Sequence, residues 1–211
     1  ERYRISSIEP NLLTDELIEL TAGSPKILPH FHIPLQSGSD KILGLMRRRY
    51  KRELFAHRVD SVRKLMPLAG IGADVIVGFP GESDQDFEDT FSFLKSMDLS
   101  YLHVFNFSER PGTPAASMKD KVQFRTREVR SKRLIGLSDR KHEEFCRMNI
   151  GLTSQVLFEH TKREGMITGF TANYIGTVMP WKSSLAGNIR TVKLTGIDTS
   201  GRMTAVITDE K

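Results

Sequence analysis

The chain has 211 residues, of which 38% are hydrophobic and 27% charged, a balance that suits one medium and one small globular domain and excludes a disordered chain. No stretch approaches the roughly 20 apolar residues needed to span a bilayer, and no secretory signal pattern opens the chain, so a membrane role is not expected. A formal net charge of +5 points towards an anionic partner, and the single cysteine, Cys146, excludes both a disulfide framework and a cysteine-rich metal site built by this chain alone, which favours the cytoplasm.

The predicted elements begin with a short strand over residues 4–8, ended by Pro10. Because the chain opens with Glu1 and enters this strand at once, it reads as a piece of a longer protein. Thr14 is a candidate N-cap for a helix from Asp15 to Thr21, stopped by Gly23. Residues 30–35 form a second strand, and Asp40 caps a helix from Lys41 to Met46. Leu54, Val59, Val62 and Leu65 make a helical stripe that ends near Pro67. Residues 72–78 are a nearly all-apolar third strand, expected to be buried on both faces. Ser83 or Asp84 caps a helix carrying Phe87, Phe91 and Leu94, and residues 101–107 are a fourth strand.

Strands alternating with helices imply a parallel sheet whose function lies at the C-terminal strand ends. Residues 119–148 follow as one long basic helix, with Gly136 a candidate break and Val122, Val129, Leu134, Leu137 and Phe145 on its apolar side. Beyond residue 149, short β runs punctuated by glycine predict a small antiparallel barrel with Phe170 inside. The division expected is 1–118, 119–148 and 149–211.

Positive charge is clustered. Residues 121–147 hold nine Lys/Arg against four Asp/Glu, and residues 41–52 hold six basic residues and no acidic one. Such clusters suit a phosphate backbone, although a solvated helix face has the same composition. The pair His30 and His32 shares one strand face, but no third ligand is evident and no metal site is expected. His103 reads as an interior residue, and Cys146 as an ordinary helix residue.

Three strand ends carry distinctive sequences. HFHIPLQSGSD at 30–40 followed by MRRRY at 46–50, DVIVGFPGE at 74–82, and HVF at 103–105 with Ser108, Arg110, Gly112, Thr113 and Ala115 resemble, in this order, the signatures of the radical-SAM methylthiotransferases. The C-terminal portion is similar to the TRAM domain, a small RNA-binding barrel. Ile33, the run Arg47 to Arg49, and residues 169–174 look most like the threonylcarbamoyl-adenosine branch, with the isopentenyl-adenosine and ribosomal-protein branches as alternatives.

The resemblance implies an α/β fold: part of a radical-SAM (βα) barrel of parallel strands, then a TRAM-like barrel. It implies S-adenosylmethionine as cofactor, tRNA as partner, and two 4Fe-4S clusters in the parent protein with ligands outside this chain. The chain alone is therefore expected to be inactive. Val77, Gly78 and Phe79 would flank the adenine of S-adenosylmethionine, or simply form a tight turn before Pro80. Gln36, Ser37 and Gly38 are placed to meet a ribose, and the position of His103 in the resembled family lies inside the barrel, which leaves a role near substrate open beside the interior reading. Glu9, with Ser7 beside it, is a candidate for the ligand's ammonium, and Arg48 for its carboxylate.

Arg47, Arg49, Arg130, Lys132, Arg133, Tyr174, Trp181 and Lys182 are the candidate RNA contacts. Asn173 would contact a base or close a turn. Two other functions fit the residues: an RNA-binding protein without catalysis, and a phosphate-binding enzyme using Gly78 to Gly81 as its cradle. A barrel without its first strands leaves an open edge, which either the chain's own terminus or a second copy is expected to cover.

Overall fold

The computed structural model describes residues 2–208. Among the described residues the strands form a three-stranded parallel sheet and a closed five-stranded barrel. The first part runs α1 (Asp15–Gly23), β1 (His30–His32), α2 (Asp40–Leu45), α3 (Arg52–Leu65), β2 (Gly70–Val77), α4 (Asp84–Ser96) and β3 (Tyr101–Asn106). The sheet order is β1-β2-β3, and all pairings are parallel.

The expected first strand does not form. Residues 3–8 lie beside β1, bridging Ile27 through Tyr3 and donating from Ile8 N to His32 O, without forming a strand. β1 is too short to template a ladder. It ends at His32, although Ile33 N still donates to Gly72 O, and the chain rejoins β2 at Gln36, which bridges Val75. Residues 3–8 thus occupy part of the open edge.

Local chemistry sets the helix starts. Thr14 caps α1 by accepting from Leu17 N, as expected. Ser39 rather than Asp40 caps α2, and the Asp40 carboxylate instead accepts from Arg52 N at the start of α3. Ser83 and Asp86 form a reciprocal capping box on α4. In α3 the buried stripe is Phe55, Val59 and Val62, whereas Leu65 is exposed.

α5 (Phe124–Asn149) is one helix of 26 residues and passes Gly136 without a break. Residues 119–123 precede it without helical structure. Leu134 and Leu137 join the core of the parallel sheet, built on Phe31, Ile71, Ala73, Val75 and Leu102. Phe145 and Cys146, two turns further on, join the core of the small barrel with Val156, Phe158, Ile167 and Val192. α5 is therefore a wall common to both cores. Each large apolar side chain so buried contributes on the order of 1.5–3 kcal/mol.

The barrel comprises β4 (Thr153–Arg163), β5 (Met166–Thr171), β6 (Gly176–Pro180), β7 (Ile189–Ile197) and β8 (Met203–Ile207), in the order β4-β5-β6-β8-β7. It is not purely antiparallel, since closure is made by a parallel pairing of β6 with β8. Phe170 is not inside. It pairs with exposed Leu157 on the outer face and stacks on Tyr174.

Asn173 ties the two parts together. Its side-chain amide donates to Leu68 O at 2.8 Å and to Asn149 Oδ1 at 3.1 Å, and its carbonyl accepts from Thr171 Oγ1. This buried residue is a joint rather than a free base contact.

Candidate functional site

The C-terminal ends of β1–β3 open onto a groove. One lobe, about 490 Å³, is lined by Gln36, Asp74, Ile76, Phe105, Asn106 and Arg110, among others. A second, about 220 Å³, is lined by Met46, Arg47, Arg48 and Phe79. Ile76, Phe107, Thr113 and Ala115 line both, so the lobes are continuous.

Gln36, Arg48 and Phe79 are therefore brought together, although the sequence separates them by up to 43 positions. Gln36 sits at a φ of 71°, unusual for a non-glycine residue and set by the bonds of its own N–H and C=O to β2. Phe79 packs edge-on to Phe107 at 5.2 Å. Arg48 donates from Nη1 to Glu9 at 2.8 Å, while its buried Nε has no hydrogen-bond partner. A buried N–H without a partner is costly.

The other expected cofactor residues lie elsewhere. Ser37 is fully buried, with its hydroxyl against Thr90 of α4. Gly38 packs so closely on α4 that a Cβ would lie 2.7 Å from Thr90 Cα. Val77 belongs to the core, and Ser7 is exposed outside the groove. The Gly78 N–H is taken by the Glu82 carboxylate at 2.8 Å, and Arg127 fills the space over its Cα.

These bonds also overturn the phosphate cradle. Gly81 N donates to Asp120 O and Glu82 N to Phe79 O, and the start of α4 is closed by its capping box. No amide of Gly78, Gly81 or Glu82 is left for an anion.

The basic helix is more structural than its composition suggests. Arg130 is 5% exposed and paired with Glu82 and Asp84, so it is withdrawn as an RNA contact. Burial raises the Glu82 carboxyl above its ordinary value, and the Gly78 N–H and Arg130 offset only part of that rise. Arg133 forms a two-pronged pair with Glu88 and lies over Phe87 and Phe91. Lys121, Arg127, Lys141 and Arg147 are likewise bonded within the fold. Arg125, Lys132 and Arg140 remain exposed and without an ion pair among the described residues.

Arg47 and Arg49 are also exposed. Trp181 packs partly against the barrel core, with Lys182 exposed beside it. Tyr174, at a φ of 71°, has Phe170 stacked at 4.9 Å and the Arg4 guanidinium 4.2 Å from its ring centre, so its faces are already engaged.

Sequence reasoning missed a side-chain cluster on the concave face of the sheet. Asp74 Oδ1 lies 2.8 Å from His32 Nε2 and 3.4 Å from His103 Nδ1. The Tyr101 hydroxyl meets His30 Nε2 at 2.8 Å and His32 Nδ1 at 3.4 Å. His103 is not interior, since its side chain is 52% exposed. The signal was the i, i+2 spacing of Tyr101, His103 and Phe105, which places all three on one face.

Residues 1–94 match the radical SAM superfamily. The threonylcarbamoyladenosine tRNA methylthiotransferase MtaB of Bacillus subtilis is 42% identical over 198 residues, covering 92% of this chain and 44% of that protein. MtaB of Aquifex aeolicus is 41% identical over 175 residues, covering 83% and 42%. The tRNA-2-methylthio-N(6)-dimethylallyladenosine synthase of Kineococcus radiotolerans is 43% identical over 157 residues, covering 74% and 31%. Over most of its length the chain is similar to tRNA methylthiotransferases, and its first 94 residues match the radical SAM superfamily. It spans less than half the length of these relatives.

The fold agrees with this placement. Coproporphyrinogen III oxidase (HemN) of Escherichia coli, a radical SAM enzyme, superposes with a TM-score of 0.55 at 16% identity, covering 66% of this chain and 32% of that one. The chain thus carries part of a radical-SAM-type α/β barrel followed by a small closed barrel.

The match to the radical SAM superfamily implies S-adenosylmethionine and iron–sulfur chemistry. The residues of this chain do not fit a cluster. Cys146 is its one thiol, it is buried in the small-barrel core, and burial pushes it up to about 11, the opposite of a thiolate ligand. The groove does fit S-adenosylmethionine. It offers the Arg48 guanidinium, held by Glu9, to a carboxylate and the Phe79–Phe107 pair to an apolar or aromatic part. No helix among the described residues is long and apolar enough to cross a membrane.

Proposed function

We propose that this chain is part of a cytoplasmic tRNA methylthiotransferase that installs a methylthio group at C2 of threonylcarbamoyl-adenosine beside the anticodon. The observation that carries the reading is the 42% identity to a tRNA methylthiotransferase across 92% of the chain. In this reading residues 1–118 hold S-adenosylmethionine in the strand-end groove. Bound there and reduced by one electron from a cluster held outside this chain, it would supply the radical that removes hydrogen from the base. Arg48 receives its carboxylate, Gln36 orients its polar part, and Phe79 with Phe107 excludes water. Glu9 holds Arg48 in place and remains its candidate for the ligand's ammonium.

Residues 149–211 act as a TRAM-like RNA-binding barrel, joined by the connecting helix of 119–148. The RNA contacts are Arg47, Arg49, Lys132, Trp181 and Lys182, and their phosphate-facing charge makes binding weaken with salt. The clusters are held by parts of the protein outside this chain, so the chain alone is inactive. The dimethylallyl-adenosine branch is the second reading, because relatives of that name are 41–43% identical.

The test is nucleoside mass spectrometry. The full-length protein, with its clusters reconstituted anaerobically, is incubated with S-adenosylmethionine, reductant, sulfide and total tRNA. A methylthio adduct of threonylcarbamoyl-adenosine supports the proposal, and an adduct of the isopentenylated nucleoside moves it to the second reading. Absence of any adduct with intact clusters overturns both, in favour of a ribosomal-protein substrate or RNA binding without catalysis.

A further inference from the structure

Each strand of the parallel sheet sends one metal-binding side chain to the same point. His32 comes from β1, Asp74 from β2 and His103 from β3, and the register sets Asp74 beside His103 and His32 beside Gly72. Asp74 Oδ1 lies 2.8 Å from His32 Nε2 and 3.4 Å from His103 Nδ1, and the three ligand atoms all lie within 4.8 Å of one another. Tetrahedral ligands at about 2.0–2.1 Å from a zinc ion stand roughly 3.3 Å apart, so little movement separates this cluster from a coordinated one.

We propose that His32, Asp74 and His103 form a binding site for a divalent cation of the zinc class. Two imidazoles and a carboxylate are nitrogen and oxygen ligands of the kind such ions take, and three protein ligands leave a fourth position free. Asp74 lines the larger lobe of the groove and the His103 side chain is 52% exposed, so an ion can enter and water can complete its shell. The cluster is also supported from behind. The Tyr101 hydroxyl, anchored on His30 Nε2 at 2.8 Å, stands 3.4 Å from His32 Nδ1 and orients that ring. Tyr101 is itself held over Gly72, where a Cβ would come within 2.1 Å of its ring. His30, on the same strand face as His32, is therefore not a ligand but a support for Tyr101.

A hydrogen-bonded cluster is the competing account. It leaves His103 poorly served, because one carboxylate oxygen faces both imidazoles and the contact to His103 Nδ1, at 3.4 Å, is long for a hydrogen bond. A cation placed among the three satisfies all of them at once. The site is distinct from any iron–sulfur cluster, since it contains no thiolate and Cys146 lies in the small-barrel core. It does not depend on which tRNA the protein acts upon.

The test uses the full-length protein with its iron–sulfur clusters reconstituted, so that the cluster thiolates are occupied. Bound zinc is measured after equilibrium dialysis against Zn2+. The wild type is expected to hold one zinc per chain, with a zinc-edge X-ray absorption spectrum showing nitrogen and oxygen neighbours, imidazole scattering and no sulfur. Asp74→Asn, which keeps the side-chain shape, and His103→Ala, at a half-exposed position, should each weaken zinc binding by more than about 100-fold with iron content unchanged. Tyr101→Phe, which removes only the orienting hydroxyl, should weaken it by about 10–100-fold. A wild type that holds no zinc would overturn the proposal and leave a hydrogen-bonded cluster. So would sulfur in the zinc shell, or zinc bound undiminished by both ligand variants. The wild-type spectrum reads the ligand types directly, so the proposal stays open to refutation even where a variant fails to fold.

Discussion

Replacing Arg130 by alanine separates a structural arginine from an RNA-binding one. The guanidinium meets the Glu82 carboxylate and its backbone carbonyl, and also Asp84. The Asp84 arm is worth little, because that carboxylate is 95% exposed. The Glu82 arm decides the result, since both partners are almost fully buried. Removing Arg130 leaves a buried carboxylate with one remaining donor, Gly78 N. Breaking such a pair costs about 3–5 kcal/mol, a large share of a typical domain's roughly 5–15 kcal/mol. At an m-value of about 2 kcal/mol per M, the urea midpoint should fall by roughly 2 M.

The pH dependence follows from Glu82. Its pKa is raised in the fold, so the folded state binds this proton more tightly than the unfolded one, and protonation favours folding as pH falls. The deficit of Arg130→Ala should therefore shrink from pH 7 towards pH 5. Adding Glu82→Gln should recover part of it at pH 7, because no buried charge then remains. The assay is urea unfolding followed by circular dichroism for both single variants and the double. A loss below about 1 kcal/mol, or a loss of RNA affinity at unchanged stability, would refute the reasoning.

Three further outcomes are expected. Gly38→Ala forces a methyl against the backbone of α4 at Thr90, which cannot swing aside, and should cost about 1–3 kcal/mol in chemical denaturation. His30 is lowered to about 3, chiefly by burial and secondarily by Arg4, so it stays neutral in the fold while the unfolded chain protonates near 6.5. Its contribution is complete above pH 6.5 and is lost as pH falls towards 3, at up to about 1.4 kcal/mol per unit, and His30→Gln should flatten that slope in a pH series of thermal midpoints. Asn173→Ala removes the bonds to Leu68 and Asn149, and hydrogen exchange at residues 66–69 and 171–175 should speed up before the two cores themselves loosen.

How far the sequence reaches depends on whether a residue's environment is local. Thr14, Ser83 and the alternation of strands with helices could be read because caps and periodicity are set within a few residues. Ser39 and Asp40 compete for one cap, and the outcome depended on Arg52, twelve residues away, which claims the Asp40 carboxylate. The charge on α5 misled for a related reason. Composition counts cations but not their partners, and Glu82, Asp84 and Glu88 reach Arg130 and Arg133 only through the packing of α4 on α5.

The site divides in the same way. A GFPGE turn after a buried strand was legible as a glycine-bearing strand end, yet the destination of its amides was not, because Glu82 folds back on Gly78 and Asp120 comes from another segment. His103 was assigned to the interior because strand residues beside apolar neighbours are normally covered. In this sheet one face is covered by helices and the other borders open space, so alternate residues of β3 have opposite fates: Leu102 is buried, whereas His103 and Phe105 are exposed. The i, i+2 pattern was present in the sequence; which face would be open was not, because that depends on how three distant strands pair. On the exposed face the polar residues answer to one another rather than to the core, since His32 and His103 both meet the Asp74 carboxylate.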